Sequence, residues 1–257
     1  MVSSAEPIIS VRDLTAAYED TVVIDNVSFE VLRGEVFVVL GGSGCGKSTL
    51  LKNMIGLYKP VKGQIVIDGT DIVNAAGRRY RDVLRKFGVM YQNGALFGSM
   101  TVHANIRLVL EEFTSLPAQA MDLIADMKLS LVGLGGCGQM MPSELSGGMR
   151  KRAAMARAMA LDPGIMFLDE PSAGLDPITS AQLDQLILHL ARTLNITFVI
   201  VSHELASVFT IADRVVMLDK DTKNIVAGGR PAELRERCDN PWVQQFLNRE
   251  AVAGRGD

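Results

Sequence analysis

Two stretches of this chain have the residue types and spacing to hold anions. Gly41-Gly42-Ser43-Gly44-Cys45-Gly46-Lys47-Ser48 has the form Gly-x-x-x-x-Gly-Lys-Ser, placed after the apolar run 36–40 and before a helix-compatible stretch, 48–57. In that strand–loop–helix setting, glycines let backbone N–H groups close around phosphate oxygens. Lys47 is then expected to neutralise the β- and γ-phosphates of a nucleotide, and the Ser48 hydroxyl to ligate Mg2+. Far later, Leu145-Ser146-Gly147-Gly148-Met149 stands directly before a second helix-compatible run, 150–160. Free N–H groups and the positive end of a helix dipole meet there too. One nucleotide rarely needs two such cradles from distant parts of one small domain. The pairing predicts that the second cradle serves a nucleotide held by another copy of the chain.

Further candidates lie where apolar runs end. Ile165-Met166-Phe167-Leu168 reads as a strand buried on both faces and runs into Asp169-Glu170. Ligands of open α/β sheets bind at that end of a strand. Asp169 is the expected Mg2+ carboxylate, direct or through water. Glu170 is placed to hold an attacking water as general base. His203 follows the run 198–202 and points toward the same nucleotide. Gln92 ends the strand 87–91, from which its amide can reach Mg2+ or the water. Tyr18 is either core packing or a ring that stacks on adenine. Cys45 is expected to lend its N–H to the loop and to have no role as a nucleophile.

The elements that must position these residues follow from periodicity. Strands are expected at 8–11, 22–31, 36–40, 64–68, 88–92, 165–168, 196–201 and 214–218. Helices are expected at 48–57, 78–86, 117–131, 150–160 and 180–193, with helical spacing from Val102 to Phe113. Strands alternating with helices imply a mainly parallel sheet. No strand is expected from about 94 to 160, which reads as a helical insert. The chain has 257 residues, 48% of them hydrophobic and 21% charged, with a net charge of −3. That balance gives no reason to expect nucleic acid. The basic stretch Arg150-Lys151-Arg152 with Arg157 is therefore read as a solvated helix face with one or two phosphate-facing groups. Three scattered cysteines suit a reducing compartment. Residues 1–10 lack the features of a signal peptide, and no apolar run nears the ~20 residues of a membrane span, so a soluble protein is expected. Residues 251–257 are expected to fray.

Taken together, these residues resemble the nucleotide-binding subunit of an ABC transporter over about 1–240. Tyr18 is similar to that family's adenine-stacking aromatic, Gly41 to Ser48 with Thr49 to its Walker A, and Gln92 to its Q-loop. Leu145 to Met149 resembles the signature sequence, Asp169 and Glu170 the end of Walker B and the catalytic glutamate, Ala173 to Asp176 the D-loop, and His203 the switch histidine. The resemblance implies an α/β P-loop fold of ABC type, with a mainly parallel core, an antiparallel β subdomain and a helical insert. Residues 1–93 and 161–240 would form the core with its β subdomain, 94–160 the helical subdomain, and 241–257 a short tail. It implies ATP and Mg2+ as cofactors and a head-to-tail homodimer. Each ATP would lie between one subunit's Gly41 to Thr49 and the other's Ser146, Gly147, Gly148 and Asp176. One level finer, Gln92 to Phe97 and Met141 to Met149 resemble the Mla/Mce-type ATPases, which drive phospholipid or other hydrophobic cargo between bacterial membranes. Implied partners are an MlaE-like permease, an MCE-domain lipid-binding protein and a small STAS-domain protein, with the ATPase peripheral on the cytoplasmic face of the inner membrane. An importer of osmoprotectants or amino acids stays open as an alternative, because such importers also carry Ser-Gly-Gly-Met. A soluble, non-transport ABC ATPase is more remote, for want of a second nucleotide site or a coiled-coil or zinc insert.

Overall fold

The computed structural model describes residues 7–19 and 21–250. The readings made for residues 1–6 and 251–257 lie outside them. Two sheets carry the fold. The first is antiparallel, ordered β2-β1-β4-β5, from β1 (Pro7–Tyr18), β2 (Thr21–Leu32), β4 (Lys62–Ile67) and β5 (Thr70–Asp71). The second is ordered β10-β9-β3-β8-β7-β6, from β3 (Val36–Gly41), β6 (Phe87–Met90), β7 (Ile165–Asp169), β8 (Thr197–Val201), β9 (Arg214–Leu218) and β10 (Ile225–Gly229). All its neighbours run parallel except β10, which pairs antiparallel with β9.

The unbroken apolar runs are explained by this second sheet, which is covered on both faces. Along β3, Val36, Val38 and Leu40 enter one core cluster, and Phe37 and Val39 enter the other. Strands β7 and β8 divide in the same way: Met166, Leu168, Phe198 and Ile200 face the first cluster, Ile165, Phe167, Val199 and Val201 the second. The first cluster joins the sheet to α3 (Val102–Phe113), α4 (Ala118–Leu131), α5 (Gly147–Ala158) and α6 (Pro177–Leu194). The second packs α1 (Lys47–Met54) and α2 (Gly77–Leu84) with the antiparallel sheet. Among the described residues, no strand lies between β6 and β7. No described helix is long and apolar enough to cross a membrane.

Some elements differ from the periodicity reading. Strand β1 runs twelve residues where four were expected. Its pairing with β2 slips between Val11 and Leu14 and again between Leu14 and Ala16, with Asp13 at φ 47°. Each slip moves the following side chains to the other face, which hides the alternation. The Asp68-Gly69 turn has positive φ at both residues, the geometry that joins a two-residue hairpin. Strand β10 and the short helices α7 (Leu205–Ile211), α8 (Pro231–Arg237) and α9 (Pro241–Asn248) carried no periodic signal. Helix α9 buries Val243 and Leu247, so residues 241–248 pack on the core and do not trail from it.

Candidate active site

Four neighbouring parallel strands end at one edge of the second sheet, and each delivers a candidate. Strand β3 ends at Gly41, β6 two residues before Gln92, β7 at Asp169 and β8 two residues before His203. Gly41, Gly42, Ser43, Gly44, Lys47, Ser48, Gln92, Glu170 and His203 line a common cavity of about 490 Å3. A smaller hollow of about 230 Å3 beside it is lined by Tyr18, Val23, Gly44, Gly46, Lys47, Ser48 and Thr49, of which Gly44, Lys47 and Ser48 line both. Tyr18 is 52% exposed there, so it is not core packing.

Local packing shapes the loop. A Cβ on Gly41 would lie 2.4 Å from the Cys45 sulfur and 2.5 Å from the Leu218 carbonyl oxygen, so only glycine fits. Cys45 is buried under the loop, and burial pushes its thiol above the usual range, against a nucleophilic role. The buried Lys47 ammonium donates to the Gly41 and Gly42 carbonyls, both at 2.9 Å. It therefore spans the loop at the N-terminus of α1, where unpaired N–H groups already favour an anion.

The carboxylates are held unequally. Asp169 Oδ1 lies 3.5 Å from the Ser48 hydroxyl. Burial and the adjacent Glu170 charge push the Asp169 carboxyl above its ordinary range, while Ser48, Lys52 and Lys47 draw it back. Among the described residues, no group of three or more His, Cys, Asp or Glu is arranged to hold a metal. One hydroxyl and one carboxylate beside a phosphate cradle suit Mg2+, which takes few protein oxygens and completes its shell with phosphate and water. A divalent ion there would also offset the Asp169–Glu170 repulsion. Glu170 is buried, has φ 47°, and its N–H donates to the Val201 carbonyl at 2.9 Å. Its Oε1 is 2.8 Å from His203 Nδ1, and the His203 N–H donates to Oε2 at 3.4 Å.

Ser146, Gly147, Gly148 and Asp176 do not line this cavity. Ser146 caps α5 by accepting the Met149 N–H at 3.2 Å. Asp176 caps α6, accepting the N–H groups of Ile178 and Thr179, both at 3.0 Å. Ser146 and Gly147 are exposed, so the second cradle opens to solvent away from the chain's own phosphate loop.

The basic stretch needs correction. Lys151 is buried and donates to the carbonyls of Gln92 (2.5 Å) and Glu170 (3.1 Å). Arg157 donates to the Ala95 (2.6 Å) and Gly94 (3.1 Å) carbonyls, and Arg150 to those of Pro142 and Leu145, both at 3.3 Å. These cations tie backbone together, and none of them lines the phosphate cavity. Lys151 shares the buried stripe of Gly148 and Met155, a spacing that could have flagged it. Two other residues were missed. Phe246 of α9 lines the phosphate cavity. Asn105, fully buried, binds Phe97 through its N–H and carbonyl and also holds the Met100 and Thr101 carbonyls.

The ABC transporter family matches residues 24–173, the span from β2 through the phosphate loop and the second cradle to Glu170. The chain belongs to the ABC transporter family. It is accordingly an ATP-binding cassette that hydrolyses ATP to drive transport. It is 43% identical over 240 residues to the probable ribonucleotide transport ATP-binding protein mkl of Mycobacterium leprae, covering 93% of this chain and 68% of that one. The same comparison with mkl of Mycobacterium tuberculosis covers 66% of that protein, so the chain spans about two thirds of these mycobacterial relatives. It is 41% identical over 248 residues to the intermembrane phospholipid transport system ATP-binding protein MlaF of Escherichia coli, covering 96% of this chain and 91% of that one. Among solved structures, the cassette MJ0796, dimeric and bound to ADP and Pi, superposes with a TM-score of 0.78 at 26% identity, over 86% of this chain and 98% of that one. CbiO1 of Clostridium perfringens, part of an ABC transporter complex, gives a TM-score of 0.80 at 26% identity over 95% and 99%.

Proposed function

We propose that this cassette works as a head-to-tail homodimer that drives phospholipid or similar hydrophobic cargo through a separate membrane permease. The observation that carries the dimer is the second cradle: Ser146 caps the helix that begins at Gly147, and both residues face solvent and stand apart from the cavity around Lys47. Each ATP then lies between Gly41 to Thr49 of one subunit, with Tyr18 against the adenine, and Ser146, Gly147, Gly148 and Asp176 of the other. Lys47 exchanges its two carbonyl partners for phosphate oxygens. Ser48 and Asp169, with Gln92, would hold Mg2+, which supplies charge neutralisation at the phosphates when bound. Glu170 accepts the proton of a water as its oxygen bonds to the γ-phosphorus and the bond to the β–γ bridging oxygen breaks. His203 orients the Glu170 carboxylate. The permease, of MlaE type, sits on the loop from Gln92 to Phe97, where Phe97 is 52% exposed and Leu96 packs on the core. On this reading the ATPase sits on the cytoplasmic face of the inner membrane, with an MCE-domain protein and a STAS-domain protein as further partners. The apolar loop and the coverage of nearly all of MlaF favour lipid over the small polar cargo named for mkl.

Replacing the base while keeping both cradles separates chemistry from assembly. Glu170→Gln is expected to lose ATP turnover yet form a stable dimer with ATP and Mg2+ in light scattering, and to be monomeric with ADP. Hydrolysis at the wild-type rate would refute the base assignment. For cargo, a permease purified with bound phospholipid supports the reading, and a permease with a periplasmic solute-binding protein refutes it.

A further inference from the structure

Helix α5 carries both the second cradle and the cations that grip the hydrolytic region. Its twelve residues make a rod of about 18 Å. Ser146 and Gly147 stand at its N-terminus, Lys151 one turn in, and Arg157 near its far end. Glu170 is held at each of its polar groups: its N–H by Val201 of β8, its carboxylate by His203, and its carbonyl by both Lys151 and the Ala173 N–H. The same ammonium holds the Gln92 carbonyl, and Arg157 holds Gly94 and Ala95 just beyond, at φ 74° and 50°. Asn105 fixes the far end of that loop at Phe97. Among the described residues, Lys151 is the tether on Glu170 that comes from α5, while Val201, Ala173 and His203 belong to β8 and to the loops after β7 and β8.

A buried ammonium is an expensive way to fill space. Burial draws the Lys151 ammonium below its ordinary range, and the Asp169 and Glu170 carboxylates restore part of it. A methionine would pack at this position without desolvating a charge. What it would lack is a donor for two carbonyls that belong to separate loops, those after the neighbouring strands β6 and β7.

We propose that Lys151 is a positioning residue that couples the two nucleotide sites of the dimer. When the partner's nucleotide engages Ser146, α5 shifts, and Lys151 passes that shift to the backbone of Gln92 and Glu170 in its own subunit. Hydrolysis at one site is thereby accelerated by ATP at the other, without strictly requiring it, and ATPase is cooperative. The proposal rests on the dimer reading above.

The test is Lys151→Met, close in shape and without the ammonium, assayed with ATP and Mg2+ beside wild type and Lys151→Arg. The expected result is a fall in kcat of tenfold or more, a Hill coefficient reduced to about 1, and ATP affinity and thermal midpoint near wild type. Lys151→Arg, which keeps the donors, is expected to restore part of both kcat and cooperativity. Turnover within twofold of wild type with unchanged cooperativity would overturn the proposal. So would loss of ATP binding in step with kcat, which marks a merely structural lysine. ATP-dependent dimerisation of Glu170→Gln is the control. If that fails, the dimer reading falls. If it holds while Lys151→Met stays cooperative, only the coupling falls.

Discussion

Gly148 is the point where the second cradle meets the rest of the fold, and a single methyl there has a calculable consequence. A Cβ at this position would sit 2.4 Å from Thr179 Cγ2 and 3.8 Å from Thr179 Cβ. Carbon atoms in comfortable contact are about 3.5–4.0 Å apart, so α5 and α6 must separate by about 1 Å or Thr179 must rotate. Rotation is opposed, because Thr179 Oγ1 donates to Asp176 Oδ2 at 2.5 Å within the cap of α6. Overpacking of this kind costs about 1–3 kcal/mol. In a chain of this size each kcal/mol lowers Tm by about 2–4 °C. Gly148→Ala is therefore expected to lower Tm measurably, and to lower ATPase further, since a shift of about 1 Å in a phosphate-binding group can cost about 10²-fold. Thr179→Ser deletes only Cγ2 and keeps the bond to Asp176. In the Gly148→Ala background it is expected to recover most of the stability, with a coupling of about 1–2 kcal/mol in a double-mutant cycle. Gly148→Ala as stable and active as wild type, or a double variant no better than the single, would refute the packing argument.

Two further expectations concern charge. Lys47→Ala removes a charged donor from the phosphate cradle and should weaken ATP binding by about 10–100-fold, from the ~1.5–3 kcal/mol of a charge-assisted hydrogen bond. Unchanged affinity in a fluorescent-nucleotide titration would contradict the placement of the phosphates. Asp184 is buried on α6, and desolvation raises its carboxyl above the ordinary range, although Ser207 hydrogen-bonds to it. A carboxyl raised on folding stabilises the fold most below its unfolded value, and that contribution is lost as pH rises through the folded value. Asp184→Asn should accordingly raise Tm at neutral pH, with the gain vanishing as pH falls below the ordinary aspartate range. A gain of the same size at acid and neutral pH would show that packing, and not ionisation, sets it.

How much of the site could be read in the chain depends on how local its signals are. The phosphate loop, Asp169, Glu170 and His203 each follow a short apolar run that suits a doubly buried strand, so their shared edge follows from the strand pattern. Ser146-Gly147-Gly148 could be read as a helix start, and Ser146 does cap α5. The internal cations could not be read from charge, because a basic stretch looks the same whether it meets water or buried carbonyls. Only the stripe shared with Gly148 and Met155 marks Lys151. Phe246 was hidden because α9 is eight residues long, too short to show a period, and is held by the core it packs on. The bulges at Asp13 likewise masked most of β1 by reversing its faces.

The central claim is that each nucleotide site is completed by Ser146 of the other subunit. It is tested most directly by mixing Ser146→Arg with Lys47→Ala and measuring ATPase as a function of the mixing ratio. Each variant alone is expected to be inactive, and activity should appear on mixing, highest near equal amounts, because the mixed dimer holds one intact site. Wild-type activity in Ser146→Arg alone, or a mixed dimer that forms without any turnover, would contradict the account.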